Sequence, residues 1–504
     1  MSSSLSALVA PVAAGIISLV LARQYLRKSP AAPLPPGPRG LPIIGNVLDM
    51  PATEEWLTFA KWGAQFGGLC SVKLLGQPIV VVNTVEAMNA LDAKGSVFNT
   101  RPRLPMAGEL VGYNKTLVLS PYGPRFRVYR KHFAKLVGMP QVKQFISMTE
   151  QQTHKLLKRL LTNPESDKID AKIRMHIGSI ILRITYGIDV AEEGEDPFVA
   201  LIEHANDNFN RATAPGAFLV DVFPSLLYIP EFLAPFKRLA KVYAKSTTDM
   251  VEIPYKFAAD QVHAGTAPVS FVSSLLEGDG DGKDLGPQDI ADIKYTASSL
   301  YGGGADTTAA DLYAFFLAMV QFPEVQTAAQ AEIDAVIGDA RLPTYEDKEQ
   351  LPYIRAVVSE LLRWHSIAPL GVPHCAIDDA VVDGYLIPKG TIIITNIWQM
   401  MHDPAVYPSP ETFDPTRFLG ENPQQDPRVA SFGWGRRICP GRELAELSLF
   451  HTVVCVLATF SIERAPGELP VHKNLQGTIS HTKPFDCVIK PRSERSVALI
   501  SDEA

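Results

Sequence analysis

Residues Ile290 to Phe322 read as one long, mostly apolar helix, yet Gly302, Gly303 and Gly304 stand at its centre. Three interior glycines cost about 3 kcal/mol relative to alanine, and a chain carries such a cost for a reason. Helical patterns dominate around this segment, from about residue 120 to about residue 370. Short strand signals flank the block. Cys70 to Leu75 and Ile79 to Val82 are separated by Gly76-Gln77-Pro78, and Val381 to Leu386 and Thr391 to Thr395 surround Pro388-Lys389-Gly390. The mixture predicts a mainly α fold with a minor β region. At 504 residues with 46% hydrophobic composition, the chain can bury a sizeable core, in one large domain or in a few ordinary ones.

Near the C-terminal end, Phe432-Gly433-Trp434-Gly435-Arg436-Arg437-Ile438-Cys439-Pro440-Gly441 fits F-x-x-G-x-R-x-C-x-G at every fixed position. The pattern resembles the thiolate loop of the cytochrome P450 family, the haem-thiolate monooxygenases. The resemblance implies that Cys439 is the axial ligand of the iron in haem b, where a thiolate favours cleavage of the O–O bond. It implies that Arg437 pairs with a haem propionate. Phe432, Gly435 and Gly441 would shape the loop around the macrocycle, the glycines by letting backbone come close. Backbone N–H groups after Cys439 would tune the sulfur, and Pro440 is expected in the first turn of a following helix. Cys70, Cys375, Cys455 and Cys487 lack such surroundings and read as buried thiols. Five cysteines without paired C-x-x-C spacing argue against a disulfide framework or a zinc site, and for a reducing compartment.

Further motifs agree with the resemblance. Gly303-Gly304-Ala305-Asp306-Thr307-Thr308 matches the family's oxygen-activation motif, on a helix that the family lays across the distal face of the haem, where a widened turn can hold dioxygen and water. Thr307 would present a hydroxyl there, and Asp306 would relay protons from solvent. Glu360-Leu361-Leu362-Arg363 puts opposite charges three apart on one helix face. With Arg417 in Phe413-Asp414-Pro415-Thr416-Arg417-Phe418, Glu360 and Arg363 would form a buried ionic triad with a structural role. Tyr122 to Lys131 corresponds to the W-x-x-x-R motif with Phe126 in place of tryptophan. Phe126 has no N–H to offer a propionate, so Arg130 should carry that contact. His374, in Leu370-Gly371-Val372-Pro373-His374, occupies a position often used for propionate binding. The resemblance covers nearly the whole chain from about residue 30 and implies a single large domain with the cytochrome P450 fold, preceded by an N-terminal transmembrane helix.

That anchor is expected in the uncharged run Leu5 to Ala22, whose roughly 18 residues span ~27 Å as a helix, close to the hydrocarbon thickness of an endoplasmic-reticulum bilayer. Arg23, Arg27 and Lys28 follow at once, which places the remainder on the cytosolic side and leaves the sequon Asn114-Lys115-Thr116 unglycosylated. Residues 1–28 are thus read as anchor and basic flank, 29–46 as a stiff proline-rich hinge, and 47–504 as the haem-thiolate catalytic domain. A net charge of -7 with both signs interspersed gives no footprint for nucleic acid. Arg125, Arg127, Lys131, Lys135, Arg436 and Arg442 fall in segments that the family places on the thiolate side of the haem. They are candidates for docking an acidic NADPH-cytochrome P450 reductase, which would pass on electrons from NADPH.

The resemblance puts mostly apolar or small residues over the haem. Leu104, Met106, Leu110 and Val111 precede the arginine helix. Phe209, Phe218, Tyr301 and Ala305 come from later helices, and Leu370, Val372, Thr478 and Ile479 from the C-terminal third. Such a pocket suits a lipophilic small molecule. The run of motifs looks like fungal members that decorate secondary metabolites, so hydroxylation of a terpenoid is expected, with an aromatic polyketide or an indole as the alternative. A haem-thiolate isomerase or dehydratase would keep Cys439 without needing Asp306 and Thr307. A non-catalytic haem-binding protein would need neither the relay nor an anchor.

Overall fold

The computed structural model describes residues 32–138, 141–163, 169–191, 194–278 and 285–502. The expected anchor and its basic flank lie outside the described residues. Among the described residues no helix is long and apolar enough to cross a membrane.

Helices form most of the molecule. Those that build the centre are α1 (Pro124–Val137), α2 (Ile169–Tyr186), α3 (Pro197–Thr213), α4 (Pro235–His263), α5 (Pro287–Gln321), α6 (Pro352–Trp364) and α7 (Arg442–Thr459). Except for α2 and α7, each begins with proline, whose fixed φ and missing N–H suit the first turn. Helix α5 crosses the interior and packs against α1, α2, α3, α4, α6 and α7. From Leu312 to Val320 every residue is buried and the helix is apolar nearly all round, as a helix with no solvent face must be. Phe315 and Phe316 are fully buried there, each worth about 1.5–3 kcal/mol in area removed from water.

The strands are few. The sequence predicts the first hairpin, which is β1 (Leu69–Leu74) and β2 (Gln77–Val82), but its turn is Leu75-Gly76 and Pro78 lies inside β2 opposite Lys73. Both Leu75 and Gly76 have positive φ, as a two-residue hairpin turn with the sheet's own twist requires. β3 (His374–Cys375) and β6 (Ile392–Thr395) complete a sheet of order β1-β2-β6-β3, with β2 and β6 parallel. Val381 to Leu386, expected as one strand, is a hairpin of β4 (Ala380–Val382) and β5 (Tyr385–Ile387) that turns at Asp383-Gly384. A third sheet pairs β7 (Phe460–Arg464) with β8 (Cys487–Pro491).

The proline-rich stretch, expected as a linker, is laid against β1. Ser71 N donates to Pro36 O at 2.8 Å, Asn46 N to Lys73 O at 2.7 Å and Leu75 N to Ile44 O at 3.2 Å. A Cβ at Gly37 would fall 1.9 Å from Ser71 O, so glycine is what lets the two backbones meet.

Glu360, Arg363 and Arg417 form a buried ion triad. Arg363 Nε lies 2.7 Å from Glu360 Oε2, and Arg417 Nε lies 3.3 Å from Oε1. Asp414 N also donates to Oε1 at 2.8 Å, while the arginines reach the carbonyls of Met401, Pro408 and Ser409. Burial pushes the Glu360 carboxyl above its ordinary value, against the pull of Arg363. Removing one member strands the others in the interior. Glu360→Ala is expected to cost about 3–5 kcal/mol, read from chemical denaturation, and an unchanged midpoint would show that the triad carries no stability.

Candidate active site

Helix α5, the thiolate loop and the end of α6 enclose a cavity of about 360 Å³. Gly303, Asp306 and Thr307 line it on one side; Phe432, Arg437, Cys439 and Gly441 line it on another. Of the three central glycines of α5, only Gly304 is explained by close approach, and none by a widened turn. A Cβ at Gly304 would stand 2.9 Å from Ile181 Cδ1, so α2 packs against bare backbone, whereas a Cβ at Gly303 would meet nothing within 4 Å. The helix stays α-helical throughout, and Thr307 Oγ1 donates to Gly303 O at 2.8 Å.

Cys439 sits just ahead of α7, whose cap residue is Gly441, so Pro440 precedes the cap instead of entering the first turn. Cys439 is exposed and lines this cavity. Burial pushes the thiol up, while the Gly441 N–H, Arg130 and Arg442 pull it down. A sulfur at a helix N-terminus between two guanidiniums is prepared to be a thiolate once a cation compensates the burial. The loop is fixed from several sides. Cys439 N donates to Phe432 O at 2.8 Å. Trp434 Nε1 donates to Thr395 Oγ1 at 3.0 Å, and its ring stacks on His374 at 4.3 Å between centroids. Gly435 has φ +60, and a Cβ there would fall 2.4 Å from Asp92 Oδ1.

One wall of the cavity is cationic. Arg130 Nη1 donates to Ile438 O at 2.7 Å. Arg437 donates to Asn99 O and Ser120 O, while its Nη1 is buried without a partner. His374 Nδ1 bonds Phe98 O at 2.8 Å. Arg101, which sequence reasoning missed, joins them through the carbonyls of Val118, Val372 and Pro373. Among the described residues, Arg101, Arg130 and Arg437 have no carboxylate within ion-pair distance. Burial and then Arg130 push Arg437 down to about 10. Burial pushes Arg101 and His374 down as well, Arg101 being further lowered by Arg437, and His374 by Arg101 and Arg437. Three arginines that repel one another beside an orphaned N–H form a site built for an anionic group. A haem, with two propionates and an iron for the sulfur, fits this donor set. Phe126 also finds its place: the Arg437 guanidinium lies over its ring at 4.2 Å, so the phenyl supports the arginine by cation–π contact.

Asp306 is buried, with Arg174 Nη1 at 3.0 Å and His481 Nε2 at 3.3 Å. Neither partner carried a motif. Asp311, one turn beyond Thr307, also lines the cavity; it is 2% exposed, its Oδ1 has no partner, and burial pushes its carboxyl well above the ordinary range.

The pocket expected from sequence is broader than the cavity. Phe209, Val372 and Ile479 line it. Tyr301 instead packs edge-on against Tyr186 and donates its hydroxyl to Phe198 O. Met106, Val111 and Ala305 are buried in the main core, against which Leu104, Leu110 and Phe218 pack, and Leu370 joins the small cluster around Phe59 and Trp62. The Thr478 hydroxyl lies 2.7 Å from that of Thr213. In each case an apolar position is satisfied by a neighbouring element, which the sequence pattern alone does not distinguish from a cavity wall.

Comparison with known proteins agrees with this geometry. The family model for cytochrome P450 matches residues 35–488. Cytochrome P450 monooxygenase 208 of Postia placenta is 44% identical over 96% of this chain and 96% of its own length. Cytochrome P450 monooxygenase claR of Ampulloclitocybe clavipes is 42% identical over 98% of this chain and 93% of its own. A tryptamine 4-monooxygenase of Psilocybe cyanescens is 38% identical over 98% and 99%. The chain belongs to the cytochrome P450 family of monooxygenases, which use a haem-thiolate cofactor and take their electrons from a reductase partner.

Proposed function

We propose that this enzyme oxidises a lipophilic intermediate of secondary metabolism, and that Cys439 is the residue that binds the haem iron. The single observation that carries the assignment is the placement of Cys439 and Thr307 on one cavity beside an arginine wall without carboxylates. When bound, the haem supplies activation of dioxygen and insertion of one oxygen atom into the substrate. The chain supplies the rest. Arg101, Arg130, Arg437 and His374 hold the propionates, Phe432, Gly435 and Gly441 shape the loop, and the Gly441 N–H moderates the charge on sulfur. Thr307 offers its hydroxyl at the cavity wall, and Asp306 brings protons to it from the solvent side. Glu360, Arg363 and Arg417 keep the loop's support rigid without touching the reaction.

Phe209, Val372 and Ile479 give the substrate an apolar wall, which supports a hydrocarbon skeleton such as a terpenoid. A second reading, an aromatic or indole substrate, is favoured by the similarity to the tryptamine 4-monooxygenase. Electrons would arrive over the face bearing Arg125, Arg127, Lys131, Lys135 and Arg436, all exposed; Arg442 is half-buried and paired with Glu443 at 2.7 Å. Single-pass anchoring in the endoplasmic-reticulum membrane through Leu5 to Ala22, with a cytosolic catalytic domain that includes the proline-rich stretch laid against β1, completes the proposal. Between α3 and α4 the chain exposes Leu219, Tyr228, Phe232 and Leu233, side chains suited to an interface with lipid.

Cys439→Ser is expected to abolish the thiolate-type spectrum of the reduced carbon monoxide complex; retention of that spectrum would overturn the ligand assignment. Thr307→Ala should raise peroxide release per NADPH consumed, and unchanged coupling removes Thr307 from proton delivery. Titration of the ferric enzyme with terpenoid and with aromatic or indole panels should give a low-spin to high-spin shift. A shift with aromatics alone would replace the terpenoid reading.

A further inference from the structure

The Asp306 carboxylate is committed at both oxygens to groups other than Thr307. Arg174 Nη1 donates to Oδ1 at 3.0 Å, and His481 Nε2 lies 3.3 Å from Oδ2. Thr307 spends its own hydroxyl proton on Gly303 O. Asp306 is buried, whereas the side chains of Arg174 and His481 are 23% and 22% exposed, so these two stand between the carboxylate and solvent. Arg174 is in turn held by Asp170 at 2.9 Å, whose side chain is 44% exposed.

The contacts assign the proton on His481. Arg174 Nη2 approaches His481 Nδ1 at 3.5 Å, and a guanidinium has only donors. Nδ1 therefore faces it as an acceptor, and the ring proton of the neutral imidazole is on Nε2, directed at Asp306. The charged and titratable groups around the pair come from every side: Arg174 and Asp170 from α2, Glu203 from α3, and His365 from the end of α6. Burial pushes the Asp306 carboxyl up, but His481 and then Arg174 outweigh it and hold it below the ordinary carboxylate range.

His481 belongs to the connection between β7 and β8, and that connection is seated on its neighbours. Ile479 N donates to Asn210 Oδ1 at 3.0 Å, Ser480 N to Ile367 O at 2.6 Å, and Leu475 N to His481 O at 2.7 Å. Ile479, two residues before His481, is itself a wall of the cavity.

We propose that His481 is a positioning residue for proton delivery: its Nε2–H fixes the Asp306 carboxylate at the solvent end of the path, ionised and able to accept a proton. The balance is simple. A proton from solvent forms the Asp306 O–H, Asp306 leaves His481 and Arg174 to pass that proton towards the Thr307 hydroxyl, and it returns as the carboxylate; no electrons move. The inference rests on Asp306 and Thr307 acting together as proposed above.

The test is an infrared titration of the carboxyl stretch in the haem-loaded full chain, with the Asp306 band identified by difference against Asp306→Asn. His481→Leu keeps bulk without a donor, and His481→Ala is the alternative should Leu not fold. Either should move the midpoint upward by about one pH unit, the worth of one hydrogen bond to a charged group. His481→Gln, whose amide N–H stands near the place of Nε2–H, should restore the wild-type midpoint. Peroxide released per NADPH with reductase present should rise in the Leu or Ala variant and fall back in Gln. An unmoved midpoint in the donorless variants, or a Gln variant shifted as far as they are, overturns the proposal. Peroxide release separates the two readings: if Asp306→Asn leaves it unchanged, the relay itself falls and His481 with it. If Asp306→Asn raises it while the donorless variants do not, only His481 falls.

Discussion

A carboxylate with no water around it must find its own cations, and in this fold Glu360 finds two. The demand is strict because each arginine would be as costly alone as Glu360 would be. Satisfying it ties the end of α6 to the segment around Thr412 to Arg417. The same logic runs in reverse a short distance away, where Arg101, Arg130 and Arg437 crowd together without a carboxylate. Within one domain, one charge cluster is closed and silent, and the other is open and waits for an anion. The arginines that neutralise Glu360 are thus a separate set from those that line the cavity.

The parts legible in the sequence were those where chemistry forces several residue types into a short stretch. The loop from Phe432 to Gly441, the glycines ahead of Asp306 and Thr307, and Glu360 with Arg363 each announce themselves locally, and the structure brings the members of each motif together. Long helices were legible for a similar reason, since an apolar run such as Ile290 to Phe322 has few alternatives. The Asp383-Gly384 turn was not legible, because the apolar run around it reads as one continuous strand.

What escaped is defined by distant neighbours. Arg101 acquires meaning only because Arg437 and His374 converge on it from elsewhere in the chain. His481 and Arg174 become part of the site only when α2 and the β7–β8 connection meet over Asp306. The substrate wall divides for the same reason: Phe209, Val372 and Ile479 line the cavity, whereas other elements claim the side chains of Tyr301 and Leu370. Phe126 shows the opposite case, a departure from the family pattern whose sense appears once the Arg437 guanidinium is seen resting on its ring.

The path of the chain from Pro33 to Asn46 has a practical consequence. β1 is the outer strand of its sheet, and the backbone groups it turns outward would invite another strand to pair with them. The proline-rich stretch occupies that flank, and its prolines have no N–H with which to extend the pairing further. Leu386 N donates to Pro33 O at 2.7 Å, so even the start of the stretch is sewn to a second sheet. The chain cannot be shortened past Pro33 without opening that flank. Such a cut would bare an edge open to pairing with another strand.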